Sequence, residues 1–146
     1  MVDSDMDALI KNISHQVRAV LVCKMELVRF GVVGIVSTAV YLLLSISLTK
    51  LNIADPFLSS ILAILVSFVI SYLGHYAFTF KVSGSHTKYF PRFGATQIAI
   101  FVMLSGLSGI LFKMTFLDPI IINCGIAIVW PVLSFLLNKK WAFKKP

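Results

Sequence analysis

Two arginines, Arg29 and Arg92, stand 63 positions apart, and each is followed by phenylalanine and glycine. A guanidinium group can donate parallel hydrogen bonds to two oxygens of one phosphate, a geometry that a lysine ammonium does not offer. Further polar or cationic candidates for the same chemistry are His75, Asn138, Lys139 and Lys140. These residue types predict a binding site for an anionic headgroup. Cations at the rim of a membrane protein can also serve orientation alone, and that interpretation stays open.

Flat aromatic side chains lie close to these cations in the sequence. Tyr72, Phe135 and Trp141 offer faces on which a sugar ring or a lipid could pack. Aromatic rings are also common where membrane helices meet water, so interfacial anchoring explains them equally well.

The sequence contains no arrangement of residues that is typical of an enzyme. There is no glycine-rich phosphate loop and no cluster of metal ligands, and Cys23 and Cys124 do not have metal-site spacing. His75 is the one side chain near an apolar stretch that could titrate near neutral pH, and a simple hydrogen-bonding role suits it as well. We therefore expect no enzymatic activity, no metal and no cofactor.

The chain is an internal duplication. A shift of 63 positions, without a gap, places residues 29–81 on residues 92–144, and sixteen of the fifty-three aligned positions are identical. The matches include Lys50 with Lys113 and the pair Asp55-Pro56 with Asp118-Pro119, which a shared apolar composition would not produce. We assign the two repeats to residues 28–82 and 91–145.

Each repeat contains two long apolar stretches. Charged residues make up 13% of the chain, against about 25% in soluble domains. The stretches without charge, of a length that suits a membrane-spanning helix, are Gly31 to Thr49, Phe57 to Leu73, Gly94 to Phe112 and Ile120 to Leu137. They predict an all-α membrane protein with four transmembrane helices, arranged as two tandem helical hairpins of the same orientation.

The first 27 residues have a different pattern. Apolar residues recur there at helical spacing, and they are Leu9, Ile13, Val17, Val20 and Leu21. The pattern predicts an amphipathic helix over residues 1–27 that lies in the membrane interface, ahead of a transmembrane domain over residues 28–146. Packing of this helix against the spans is the alternative.

The basic residues predict the orientation in the membrane. Eleven of the 13 lysines and arginines lie in the N-terminal segment, the middle connection or the tail, and only Lys50 and Lys113 lie in the other two connections. Because basic residues stay on the cytoplasmic side, we expect both termini and the middle connection to be cytoplasmic. This orientation accounts for the net charge of +7, so we expect no nucleic-acid binding.

The duplicated motif resembles a known family of membrane proteins. An Arg-Phe pair opens a glycine-containing first span, and the second and fourth spans end on residues 71–80 (SYLGHYAFTF) and 134–143 (SFLLNKKWAF). These endings are similar to the pattern N-F-x-x-N-[RK]-x-W-x-F of the GtrA-like family, and the resemblance covers residues 28–144. Serine stands at positions 71 and 134, where the family usually has asparagine.

GtrA-like proteins are small four-span proteins of the bacterial inner membrane, associated with the glycosyltransferases of cell-surface polysaccharides. The resemblance implies that this chain moves a polyprenyl-phosphate-linked monosaccharide across that membrane. It also implies three partners: the polyprenyl-phosphate sugar lipid, a membrane glycosyltransferase and the lipid bilayer. The family's patterned positions carry over to Arg29, Asn138, Lys139, Lys140 and Trp141.

Such transport would need a groove that shields the sugar from the lipid. Candidate groove residues are Thr38, Ser67, Ser71, Tyr72, Ser134 and Trp141. The four apolar stretches contain no Asp, Glu, Lys or Arg, and ion-coupled carriers normally keep such a group in the membrane. We therefore expect downhill, uncoupled transport. Because four spans make a thin bundle for this cargo, a homodimer is also expected.

Two other function classes compete with transport. The chain could be an accessory subunit that positions a membrane glycosyltransferase without moving lipid itself. A small multidrug-type exporter has a similar length and span count, but it needs a carboxylate within the membrane, which this sequence does not supply.

Overall fold

A computed structural model describes residues 2–114 and 118–144 of the 146-residue chain. These residues form helices and no strand. The α-helices are α1 (Val2–Lys50), α2 (Pro56–Gly74), α3 (His86–Met114) and α4 (Pro119–Leu137). Each of the four contains a segment that is long and apolar enough to cross a membrane. The prediction of four spans is therefore confirmed, and the chain is a multi-pass membrane protein.

Helix α1 continues without a break from the predicted interfacial segment into the first span. Its 49 residues extend about 73 Å, more than twice the ~30 Å thickness of a hydrocarbon core. The placement of residues 1–27 in the interface stays a prediction. Met1 at the start of that segment lies outside the described residues, as do the last two residues of the predicted transmembrane domain.

Both repeats begin their second helix with the same cap. The carboxylate of Asp55 accepts hydrogen bonds from the backbone amides of Phe57 (2.9 Å) and Leu58 (3.1 Å) at the start of α2. The carboxylate of Asp118 accepts one from the amide of Ile120 (2.7 Å) at the start of α4. In both helices proline follows the capping aspartate, at a position where its missing N–H removes no helical hydrogen bond.

The second helix of each repeat also ends in the same way. Helices α2 and α4 continue into π-helical turns at His75–Thr79 and Asn138–Ala142, again 63 residues apart. The turns close with hydrogen bonds from the amide of Phe80 to the carbonyl of His75 (2.9 Å) and from Phe143 to Asn138 (2.8 Å). The wider turn changes the direction of the following side chains, and both phenylalanines are buried.

One end of the bundle is formed by residues 24–30, 75–92 and 138–144 and is called here the basic end. Aromatic rings join all four helices there. The aromatic members of this cluster are Phe30, Tyr72, Phe80, Tyr89, Phe93, Phe135 and Phe143. Ring contacts recur under the 63-residue shift: Phe30 lies 5.5 Å from Phe135, and their repeat partners Phe93 and Tyr72 lie 5.8 Å apart. Rings of one repeat thus pack on rings of the other.

Within each repeat the two helices lie side by side, because α1 packs mainly on α2 and α3 on α4. Helix α1 approaches α2 closely at Gly74. A Cβ atom added there would lie 2.7 Å from Cγ1 of Val33, so the crossing requires glycine at this position.

Candidate functional site

A groove of about 750 Å³ opens between helices α1 and α4. On α1 its wall runs from Phe30 to Leu42, a distance of about 18 Å along the helix. On α4 the wall is formed by Trp130, Pro131 and Ser134. The groove therefore begins at the basic end and extends past the middle of the first charge-free stretch, between a helix of the first repeat and a helix of the second.

Polar side chains from all four helices line this groove. They are Ser37, Thr38, Ser71, His75, Gln97 and Ser134. The outer rim is apolar, and Ile35 and Leu42 are exposed there. Hydroxyl, imidazole and amide groups on a concave surface with an apolar rim can hydrogen-bond a polar ligand while lipid covers its apolar part.

Two amides meet at the hydroxyl of Ser134. Gln97 donates to Ser134 Oγ through Nε2 at 3.1 Å, and Asn138 donates to the same oxygen through Nδ2 at 3.1 Å. Asn138 is fully buried, and its Oδ1 has no hydrogen-bond partner among the described residues. The network fixes the position of Ser134 and joins α3 to α4 beside the groove.

The imidazole of His75 closes the groove at the basic end. It stacks on the ring of Phe30, with centroids 4.3 Å apart and planes 18° apart. Its Nδ1 lies 3.1 Å from Oγ1 of Thr79, and the side chain is buried. His75 is the repeat partner of Asn138, so each repeat places one buried polar residue at the start of its π-helical turn.

The duplication places a second, smaller cavity at the equivalent position between α2 and α3, and its lining includes the repeat partners of groove residues, namely Phe93, Gln97, Ser67, Phe68 and Ser71. On the equivalent side, between α2 and α3, the ring of Phe68 packs on Phe93 at 5.3 Å and lies 3.6 Å from a Cβ position built on Gly94. The repeat partners of Phe68 and Gly94 are Pro131 and Gly31, and no heavy atom lies within 4 Å of a Cβ position built on Gly31.

This smaller cavity has a volume of about 360 Å³ and adjoins the groove. It shares four polar residues with the groove, namely Ser37, Thr38, Ser71 and Gln97, and it adds Ser67 and Tyr41. The shared residues make one polar surface that faces both spaces.

The amino-acid sequence matches the family described as GtrA/DPMS, transmembrane domain, over residues 29–143. The chain belongs to this family. The match includes every groove residue and all but the outermost residues of the two repeats, and it confirms the resemblance to GtrA-like proteins. No curated protein and no solved structure matches the chain at a significant level.

The groove of this GtrA/DPMS domain brings together four of the residues predicted from the sequence, namely Thr38, Ser71, His75 and Ser134. Ser67 lines the smaller cavity, and Asn138 lies one helical turn beyond Ser134. Gln97, which completes the polar lining, was not predicted. Its repeat partner is Gly34, so comparison of the two repeats does not identify Gln97 as a site residue. The presence of an amide within a charge-free stretch is itself a signal for such a residue.

Both predicted arginines lie at the basic end of the GtrA/DPMS domain, but neither lines the groove or the smaller cavity. The guanidinium carbon of Arg29 lies 5.6 Å from the centroid of the Phe78 ring, a cation–π distance. Arg92 opens the second repeat at the equivalent position, and both side chains are half-buried.

The remaining predicted residues lie outside the groove. Lys139 pairs with Glu26, its Nζ lying 2.7 Å from Oε2. Lys140 is exposed at the basic end, and Trp141 is 48% exposed. Tyr72 is buried in the aromatic cluster, where its hydroxyl lies 2.8 Å from Nδ1 of His86.

Proposed function

We propose that this protein moves a polyprenyl-phosphate-linked monosaccharide from the cytoplasmic to the outer leaflet of the bacterial inner membrane, for glycosylation of a cell-surface polysaccharide. The observation that carries the proposal is the α1–α4 groove, which places polar side chains from all four helices within a mostly apolar lining and is continuous with the basic end. Membership of the GtrA/DPMS family supports the same function.

The size and lining of the groove suit a sugar. Ligand pockets have volumes of roughly 300–1,000 Å³, and this groove has about 750 Å³. A sugar cannot enter hydrocarbon without partners, because each unpaired polar group costs several kcal/mol there. In the proposed mechanism, Thr38, Ser71 and Gln97 exchange hydrogen bonds with the sugar hydroxyls, and the polyprenyl chain stays in lipid beside the exposed rim.

The phosphate is assigned to the basic end in this proposal. Arg29, Arg92, Lys139 and Lys140 supply positive charge there, one helical turn or less from the aromatic cluster. Arginine can bind phosphate through two parallel hydrogen bonds. The cations would hold the headgroup at the membrane surface before the sugar enters the groove.

The proposal includes the orientation predicted from the basic residues. Both termini and the middle connection are cytoplasmic, and the two hairpins enter the membrane in the same direction. Transport runs downhill, since the charge-free stretches contain no carboxylate or lysine to couple it to an ion gradient. Consumption of the sugar by a glycosyltransferase on the outer side would maintain the direction.

Transport by the purified protein tests the proposal. Proteoliposomes are loaded with a short-chain polyprenyl-phosphate monosaccharide, and the sugar that reaches the opposite leaflet is measured with a membrane-impermeant reagent. We expect flux with and without an imposed membrane potential, and at least about tenfold less flux for Arg29→Ala and for Arg92→Ala, equivalent to ~1.4 kcal/mol of lost phosphate binding.

The matched controls are Lys50→Ala and Lys113→Ala, which also remove one cation from each repeat. Both lysines lie in the last turn of their helices, α1 and α3, away from the basic end. These variants should retain their flux. Equal losses in all four variants would contradict a phosphate site at the basic end. Absence of flux in the unmodified protein, together with co-purification of a membrane glycosyltransferase, would instead support the accessory-subunit function.

A further inference from the structure

An ion pair joins the beginning of the first span to the end of the fourth. The Nζ atom of Lys139 lies 2.7 Å from Oε2 of Glu26, and the two side chains are 35% and 19% exposed. The ammonium also lies 5.6 Å from the centroid of the Phe135 ring. Lys139 is thus held by a carboxylate and an aromatic ring, and its side chain is the more exposed partner of the pair, while Oε2 of Glu26 is buried.

The pair lies at the basic end of the groove. Glu26 stands one helical turn before Phe30, which is the first groove residue of α1, and Lys139 stands one turn after Phe135 on the extension of α4. Phe30 and Phe135 are in contact, with centroids 5.5 Å apart. The carboxylate and the ammonium therefore connect the two walls of the groove just beyond its basic end.

The equivalent position in the other half of the molecule is aromatic. The 63-residue shift places Glu26 on Tyr89 and Lys139 on Tyr76, and these two rings pack 5.9 Å apart. The α2–α3 side of the bundle, where Phe68 lines the smaller cavity, is therefore closed at the basic end by ring packing. The α1–α4 side is closed at the same end by an ion pair, in which a second anion can replace the carboxylate.

We propose, on the basis of the proposed function, that the Glu26 carboxylate is paired with Lys139 in the absence of substrate. The phosphate of the lipid headgroup then displaces this carboxylate from Lys139. A carboxylate and a phosphate both accept charge-assisted hydrogen bonds from an ammonium group. The Lys139 side chain is 35% exposed, so a phosphate can approach the ammonium group while the carboxylate is still paired with it. Once Glu26 is released, Lys139 binds the phosphate, and the contact of Phe30 with Phe135 keeps α1 and α4 together at the basic end.

The ligand class is an organic phosphate attached to an apolar chain. Free phosphate carries the same charge, but the apolar rim beside the basic end favours the lipid form.

A binding experiment with three probes distinguishes a lipid phosphate from free phosphate. The probes are citronellyl phosphate, inorganic phosphate and the uncharged alcohol citronellol. The full chain is used in detergent, and dissociation constants are measured by calorimetry after circular dichroism has shown that each variant is folded.

The substitutions Glu26→Gln and Lys139→Met are expected to act in opposite directions. Removal of the competing carboxylate should tighten citronellyl phosphate binding by about tenfold, and removal of the ammonium should weaken it by about as much. The double variant should bind as weakly as Lys139→Met, because Glu26 acts only through Lys139. Citronellol binding should stay unchanged in all of them.

A pair with a purely structural role would give changes of the same sign in both single variants, and that result would overturn the proposal. Tighter binding of inorganic phosphate alone by Glu26→Gln would overturn the assignment to a lipid. The binding measurements do not require transport. If the two single variants change the binding affinity in opposite directions but the protein shows no flux, this inference stands and translocation is contradicted. If the protein shows flux but the two changes have the same sign, translocation stands and this inference is contradicted.

Discussion

The rings of Phe80 and Phe143 stack on each other with centroids 5.0 Å apart and planes 22° apart. They are repeat partners, 63 residues apart, and each follows a π-helical turn. The contact between equivalent residues places the two repeats face to face at the basic end, where the other rings of the cluster surround it.

Replacement of either ring should weaken the bundle. For Phe80→Ala and Phe143→Ala we expect a stability loss at the lower end of the ~3–5 kcal/mol found for buried phenylalanines, because unfolded helices in a lipid phase keep apolar surroundings. Reversible unfolding in mixed micelles measures the loss. Phe57→Ala is the control, since Phe57 is 76% exposed, and a comparable loss there would contradict a special role for the stacked pair.

The amide network beside the groove makes a second prediction. Ser134→Ala removes the oxygen that accepts hydrogen bonds from Gln97 and Asn138. The buried amide of Asn138 and the half-buried amide of Gln97 then lose this acceptor, and the free energy of unfolding should fall by about 1–3 kcal/mol. In Ser108→Ala the lost hydroxyl is exposed and donates only to the carbonyl of Ser105 in its own helix. That variant should unfold like the unmodified protein, and equal effects of the two changes would contradict the network.

The close helix crossing at Gly74 makes a third prediction. In Gly74→Ala the new Cβ meets Val33, whose branched side chain has little rotamer freedom. We expect a loss of about 1–3 kcal/mol from overpacking, whereas Gly106→Ala, which meets no atom within 4 Å, should be neutral or stabilising. Combination with Val33→Ala should recover most of the loss, and additive losses would show that the crossing is not the cause.

The groove between α1 and α4 can be filled by design. No atom lies within 4 Å of a Cβ position built on Gly34, which lines the groove. Gly34→Leu should therefore fill the groove, reduce lipid-sugar flux by at least about tenfold and leave the protein folded. Gly106→Leu adds the same side chain to an exposed helical position outside the groove. Similar flux in the two variants would remove the groove from the transport path.

Much of the fold could be predicted from the sequence because the duplication and the charge pattern are local signals. The Asp-Pro pairs that match between the repeats are helix caps, and the four charge-free stretches lie within the four membrane-spanning segments. The sequence predicts an amphipathic helix over residues 1–27, and no glycine or proline stands between that segment and Phe30. A continuous α1 is the physical consequence.

The asymmetry of the site was harder to predict. The sequence shows that Pro131 replaces Phe68 and that Gln97 replaces Gly34 in the second repeat. It does not show which side of a bundle these exchanges fill. Tyr72 and Trp141 belong to the same aromatic pattern, yet one is buried in the cluster and the other is exposed. Their difference depends on the π-helical turns, for which the pattern gave no signal.

The buried aromatic cluster also determines where the molecule can change shape. It joins residues of all four helices at the basic end, while most side chains near the turn at residues 51–55 are exposed. Relative tilting of α1 and α4 should therefore pivot on the stacked rings and have its largest amplitude at the far end. An alternating opening of the groove would then need little disruption of the packed side chains.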